Sequence, residues 1–131
     1  VIGIVIVAHG GLADEYRRTV EHIMGGPQPG LRSIGVGPSF DRCAKQREIR
    51  AAADAVDAGQ GVVVVTDLYG GSPSNLSLPA CMPGDRVIFY GANVPALIKL
   101  AHSRRRSVRE AVALAKEAGM RYMDVAEGPS A

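Results

Sequence analysis

The sequence has only two cysteines among 131 residues, Cys43 and Cys81, far apart and in no C-x-x-C unit. That excludes a disulfide-stapled scaffold and the usual metal-ligand spacings, and it suits a reduced, cytoplasmic interior. Excess charge is lacking as well: the formal net charge is +2, too small to make the surface as a whole a partner for nucleic acid or membrane. The one basic run, Arg104-Arg105-Arg106, reads as a solvated helix end. Val1–Ala8 is the apolar opening, too short to span a bilayer, and it lacks the basic flank and small-residue cleavage site of a signal peptide. Internal repeats, low-complexity tracts and domain linkers are absent.

What remains is a chain of 47% hydrophobic and 21% charged residues, long enough for one domain with a real core. Its punctuation alternates. Val1–Ala8 and Val62–Thr66 are continuous and rich in Val and Ile, the pattern of strands covered on both faces. Leu31–Gly37 is a weaker strand and Asp85–Tyr90 another. Between them the apolar spacing predicts helices over Leu12–Met24, from the Asp41 cap to about Asp57, over Ser74–Cys81, Val94–His102 and Ser107–Ala118. Tyr122–Ala126 reads as a last, edge strand. The expected fold is α/β: three layers, α/β/α, with a mainly parallel four-stranded sheet and an antiparallel C-terminal edge strand. Residues 1–126 form its one domain, and residues 127–131 a frayed tail.

In such sheets ligands bind beyond the carboxyl ends of the strands. Two residues that suit chemistry follow the two apolar strands directly: His9 in "VIGIVIVAHGG" and Asp67 in "VVVVTDLYGGSPSN". If the strands are neighbours, the carboxylate can hold Nδ1–H and leave Nε2 as an outward lone pair, and it can stabilise positive charge developing on the ring. Gly70 and Gly71 allow backbone N–H groups to turn toward an anion, and Ser72, Ser74 and Asn75 add donors. The loop is neither a G-x-G-x-x-G nor a P-loop. His22 and His102 lie within helices and read as surface or structural residues. Three functions are open on these residues: a phosphohistidine carrier, a hydrolase with Ser72 as nucleophile, His9 as base and Asp67 as orienter, and a non-catalytic regulatory module that binds an anion or a protein.

"GIVIVAHGGLADEY", "VVVVTDLYGGSPSNLS" and "GANVPALIKL", in this order and spacing, resemble the mannose-family enzyme IIA domain of the bacterial phosphoenolpyruvate:sugar phosphotransferase system. The resemblance implies a cytoplasmic homodimer whose last strand is exchanged between subunits. It implies that His9 accepts a phosphoryl group on Nε2 from the phosphocarrier protein HPr and passes it to an enzyme IIB. Asp67 matches the histidine-orienting aspartate, and Gly70, Gly71 and Ser72 match the phosphoryl-binding loop. Neither a metal nor an organic cofactor belongs to this chemistry, and the component does not bind the sugar itself. The chain departs from the family at Ala8, where a hydroxyl residue is common and a donor to the phosphoryl group is therefore expected to be missing. It departs again where Pro79 and Pro83 interrupt a helical segment.

Overall fold

A computed structural model describes residues 1–82 and 84–129. Four strands, β1 (Gly3–His9), β2 (Leu31–Val36), β3 (Val62–Thr66) and β4 (Arg86–Phe89), form one parallel sheet in the order β2-β1-β3-β4. The two strands with unbroken apolar sequence, β1 and β3, are its centre, and apart from His9 they are buried throughout. β2 alternates buried and exposed positions, and β4 is half-buried along its length, as edge strands require.

Helices cover both faces. Ile4, Ile6 and Ala8 of β1 and Val63 and Val65 of β3 pack against α1 (Leu12–Met24), α4 (Val94–His102) and α5 (Val108–Arg121). Val5, Val7, Val62 and Val64 face α2 (Arg42–Val56) and α3 (Ser72–Ser77). The caps are local. Asp41, Asn93 and Ser107 each accept a backbone N–H of the helix they precede. α3 starts two residues earlier than the sequence suggests, because Pro73 suits a first helical turn. It ends at Ser77 in a 3-10 turn, Leu78–Cys81, where Pro79 has no N–H to continue the ladder. Pro83 lies outside the described residues.

One expectation needs correction. The segment Tyr122–Ala126 forms no strand with the chain's own sheet; it is exposed after α5. The tail was expected over residues 127–131; residues 127–129 are exposed without regular structure, and 130 and 131 lie outside the described residues.

The basic run is also not uniformly solvated. Arg105 and Arg106 are exposed, but Arg104 is buried. Its Nε donates to the Ile2 carbonyl at 2.8 Å and its Nη1 to the Pro29 carbonyl at 2.6 Å, while its own carbonyl accepts from Ile2 N–H. These bonds tie the start of β1 to the turn that enters β2. Burial pushes the Arg104 guanidinium below its usual range. Arg104→Met keeps the bulk of the side chain and abandons both carbonyls. It is expected to cost about 2–4 kcal/mol in urea unfolding, whereas Arg105→Met and Arg106→Met stay within about 0.5 kcal/mol of the parent.

Candidate functional site

Because β1→β2 and β2→β3 run to opposite sides of β1, strand order reverses between β1 and β3. The crevice at their carboxyl ends is thus the place where an open α/β sheet accommodates a ligand. The β1–β3 register pairs Val7 with Thr66, which brings the residues just beyond them together.

One oxygen of Asp67, Oδ2, accepts two bonds from the same residue: the His9 backbone N–H at 2.9 Å and ring Nδ1 at 2.8 Å. The other, Oδ1, accepts the Leu68 N–H at 3.0 Å. An ionised carboxylate can only accept, so Nδ1 carries the proton and the neutral ring presents Nε2 as a lone pair. The Asp67 side chain is 8% exposed and that of His9 51%: the orienting group is dry and the ring edge is open. Burial alone would raise the Asp67 carboxyl, but the hydrogen bonds from the His9 backbone and ring outweigh it and hold the group below its ordinary value of 3.8. Behind the pair, Tyr16 donates its hydroxyl to the Ala92 carbonyl at 3.1 Å. Burial and then the Asp67 charge raise the Tyr16 phenol.

Backbone approaches decide what surrounds the ring. A Cβ on Gly35 would lie 2.4 Å from the Gly10 carbonyl, so only glycine lets β2 pass the turn after His9. Gly10 itself adopts φ +56° and donates to the Val36 carbonyl. A Cβ on Gly71 would stand 3.1 Å from His9 Cε1 and 3.6 Å from Nε2. Gly71 therefore borders the reactive edge of the imidazole, and its missing side chain leaves that edge free.

The sequence-predicted residues divide. His9, Asp67 and Gly71 come together, with Gly70 in the adjoining turn at φ +84° and Ser72 exposed at the first position of α3. Ser74 does not join them as a donor: it is buried, and its hydroxyl donates to the Leu68 carbonyl. No Ser72–His9 hydrogen bond is formed among the described residues, so the arrangement lacks the link on which a serine nucleophile depends. Ala8 is fully buried in the apolar core on the α1 face. His22 and His102 are exposed, remote from the crevice on α1 and α4. Among the described residues no three His, Cys, Asp or Glu side chains gather as metal ligands, and no helix is long and apolar enough to cross a membrane.

Fold and site together define a doubly wound parallel α/β protein that presents one oriented imidazole at its switch point. The family described as EIIA-man, PTS system fructose IIA component, matches residues 3–116, and the chain belongs to it. It is 30% identical over 121 residues to the PTS system mannose-specific EIIAB component of Escherichia coli K12; the match takes in 90% of this chain and spans 37% of that relative's length. Among solved structures it is similar to the PTS IIA protein associated with the fucose utilization operon of Streptococcus pneumoniae, with 30% identity, TM-score 0.75 and 88% of each chain covered. The mannose/sorbose specific IIA subunit of Enterococcus faecalis shares the fold, with TM-score 0.84, 21% identity and coverage of 99% and 98%. The family is one of phosphotransferase-system components.

The depressed Asp67 carboxyl has a consequence for stability. A group that titrates lower in the folded than in the unfolded chain stabilises the fold above its ordinary value, here 3.8, and that contribution is lost as pH falls through the folded value. Asp67→Asn lacks it. Urea unfolding is expected to show the variant less stable than the parent at pH 7, with the gap closing below about pH 4; a gap that persists unchanged at pH 2 would contradict the assignment.

Proposed function

We propose that the chain is a phosphoryl carrier in which His9 Nε2 holds the group in transit between two proteins. The observation that carries this reading is the pair of hydrogen bonds that Asp67 Oδ2 accepts from His9, one from the backbone N–H and one from ring Nδ1. The Nε2 lone pair attacks phosphorus on the donor; the N–P bond forms as the donor's bond to phosphorus breaks, and that bonding pair stays with the donor atom. Nδ1 keeps its proton, so the ring becomes cationic, and Asp67 stabilises this charge at a distance fixed beforehand. In the reverse sense Nε2 leaves as a neutral nitrogen. Gly70, Gly71 and Ser72 border the phosphoryl position, where the glycines allow close backbone approach.

A protein donor suits the surroundings better than a small ester. His9 stands on an open rim, and the segments that follow β1 and β3 there carry exposed Leu12, Leu68 and Tyr69; Tyr69 meets Tyr90 edge-to-face at 5.0 Å between ring centroids. Exposed aromatic and aliphatic side chains around an accessible reactive group favour a docking protein surface. By the family resemblance we take the donor to be HPr and the acceptor an enzyme IIB, in the cytoplasm, with residues 1–126 as the carrier unit and no sugar contacted directly. With phosphoenolpyruvate, enzyme I and HPr, the intact protein is expected to gain one phosphoryl mass that is acid-labile and base-stable. His9→Ala abolishes the gain, and His22→Ala and His102→Ala keep it. Gly71→Ala, whose extended backbone at φ −86° and ψ 176° accepts alanine, folds but labels about tenfold more slowly or worse. Label surviving in the His9 variant would overturn the reading.

We further propose a homodimer made through the C-terminal segment. β4 is an edge strand, and a groove of about 440 Å³ along it is lined by Phe89, Tyr90, Met120 and Met123. Tyr122–Ala126 lies exposed with Met123 and Val125 unburied. Strand exchange would cover the open edge and bury these side chains. Light scattering at micromolar concentration is expected to give a dimer for the chain and a monomer after removal of residues 122–131. A truncated chain that stays dimeric refutes the exchange.

A further inference from the structure

We infer that Ser74 is a positioning residue for phosphoryl transfer at His9, an inference that rests on the carrier reading above. Ser74 sits in the first turn of α3, 3% exposed, with its hydroxyl turned into the protein. The hydroxyl donates to the Leu68 carbonyl at 2.7 Å and lies 3.2 Å from the hydroxyl of fully buried Thr66. A serine hydroxyl has one proton. With it committed to Leu68, Ser74 can accept from Thr66, whose own hydroxyl reaches the Leu68 carbonyl only at 3.5 Å, so the short bond from Ser74 is the principal hold on that carbonyl.

The Leu68 peptide is thereby held at both ends. Its carbonyl accepts from Ser74, and its N–H donates to Asp67 Oδ1, whose sister oxygen holds His9. The carboxylate that orients the imidazole and the turn that borders Nε2 thus belong to one connected network. The turn needs that anchor. Leu68, Tyr69 and Gly70 are exposed, and Gly70 occupies a left-handed conformation, so local burial supplies little restraint. The Ser74 clamp is the buried attachment between Thr66 at the end of β3 and the start of α3, and Gly71, against the His9 ring, lies inside the span it closes. Loss of the clamp lets the Gly71 backbone drift from Nε2, where a loss of geometry weakens transfer. The helix itself is indifferent: the Asn75 N–H bonds the Gly71 carbonyl without the Ser74 side chain.

Two readouts separate positioning from folding. Transfer from phosphorylated HPr to Ser74→Ala is expected to show kcat about tenfold lower, in the range of losses at orienting partners, with KM unchanged. Amide hydrogen exchange at residues 70–72 should quicken while β1 and β3 keep their protection. Thr66→Val shifts both readouts in the same direction, and Thr66→Ser, which keeps the hydroxyl, restores them. Wild-type kcat in Ser74→Ala, unchanged exchange at residues 70–72, or a lost kcat accompanied by lost protection across β1 and β3 would each overturn the role. A parent protein that takes no label overturns the carrier reading and the role together; a labelled parent with an indifferent Ser74→Ala overturns the role alone.

Discussion

One carboxylate oxygen, Oδ2 of Asp67, accepts both the backbone N–H and the ring Nδ1 of His9, and the site depends on this double contact. The backbone bond fixes where the residue stands, and the ring bond fixes which nitrogen is free. Hydrogen bonds to an ionised acceptor are worth about 1.5–3 kcal/mol each, enough to offset the burial that would otherwise raise the carboxyl. A carboxylate in water would bind the imidazole loosely and in several orientations. Held dry against β1, it is organised before any positive charge appears on the ring, which is the condition for electrostatic stabilisation without reorganisation.

That contact is in turn a product of sheet topology. His9 and Asp67 are 58 residues apart in sequence and meet because β3 pairs with β1 in parallel, with Val7 opposite Thr66. A slip of one residue would turn the whole of either strand over, sending Val5 and Val7 to the α1 face and Ile4 and Ile6 to the α2 face. The two packed cores therefore set the register, and the register sets the His9–Asp67 distance. Close backbone approach completes the design: β2 passes the Gly10 carbonyl only because residue 35 is glycine, and the imidazole edge stays open only because residue 71 is.

Much of this was legible in the residues. Unbroken Val/Ile runs announced the central strands because both faces of a central parallel strand are buried, and glycine and proline clusters marked the turns between elements. His9 and Asp67 stood out since each ends such a run. Ser74 was misread, because a serine at a helix start looks the same whether it faces solvent or its own sheet. Arg104 was misread for a similar reason: nothing in three consecutive arginines says that one of them will meet the carbonyls of Ile2 and Pro29, which lie 102 and 75 residues away.

By itself, then, the sequence determined the four strands and the helices between them, which two strands are covered on both faces, and which side chains end those two, since these follow from local periodicity and the chemistry of each residue. The tertiary structure decided the rest: that β1 and β3 are neighbours, that Ala8 is buried in the α1-side core, that the Ser74 hydroxyl closes on Leu68, and that Tyr122–Ala126 finds no strand to join within its own chain. The physical reason is common to all four. A hydrogen bond or a buried face needs a partner, and the partner is supplied by a distant part of the chain whose position only the packed sheet and helices fix.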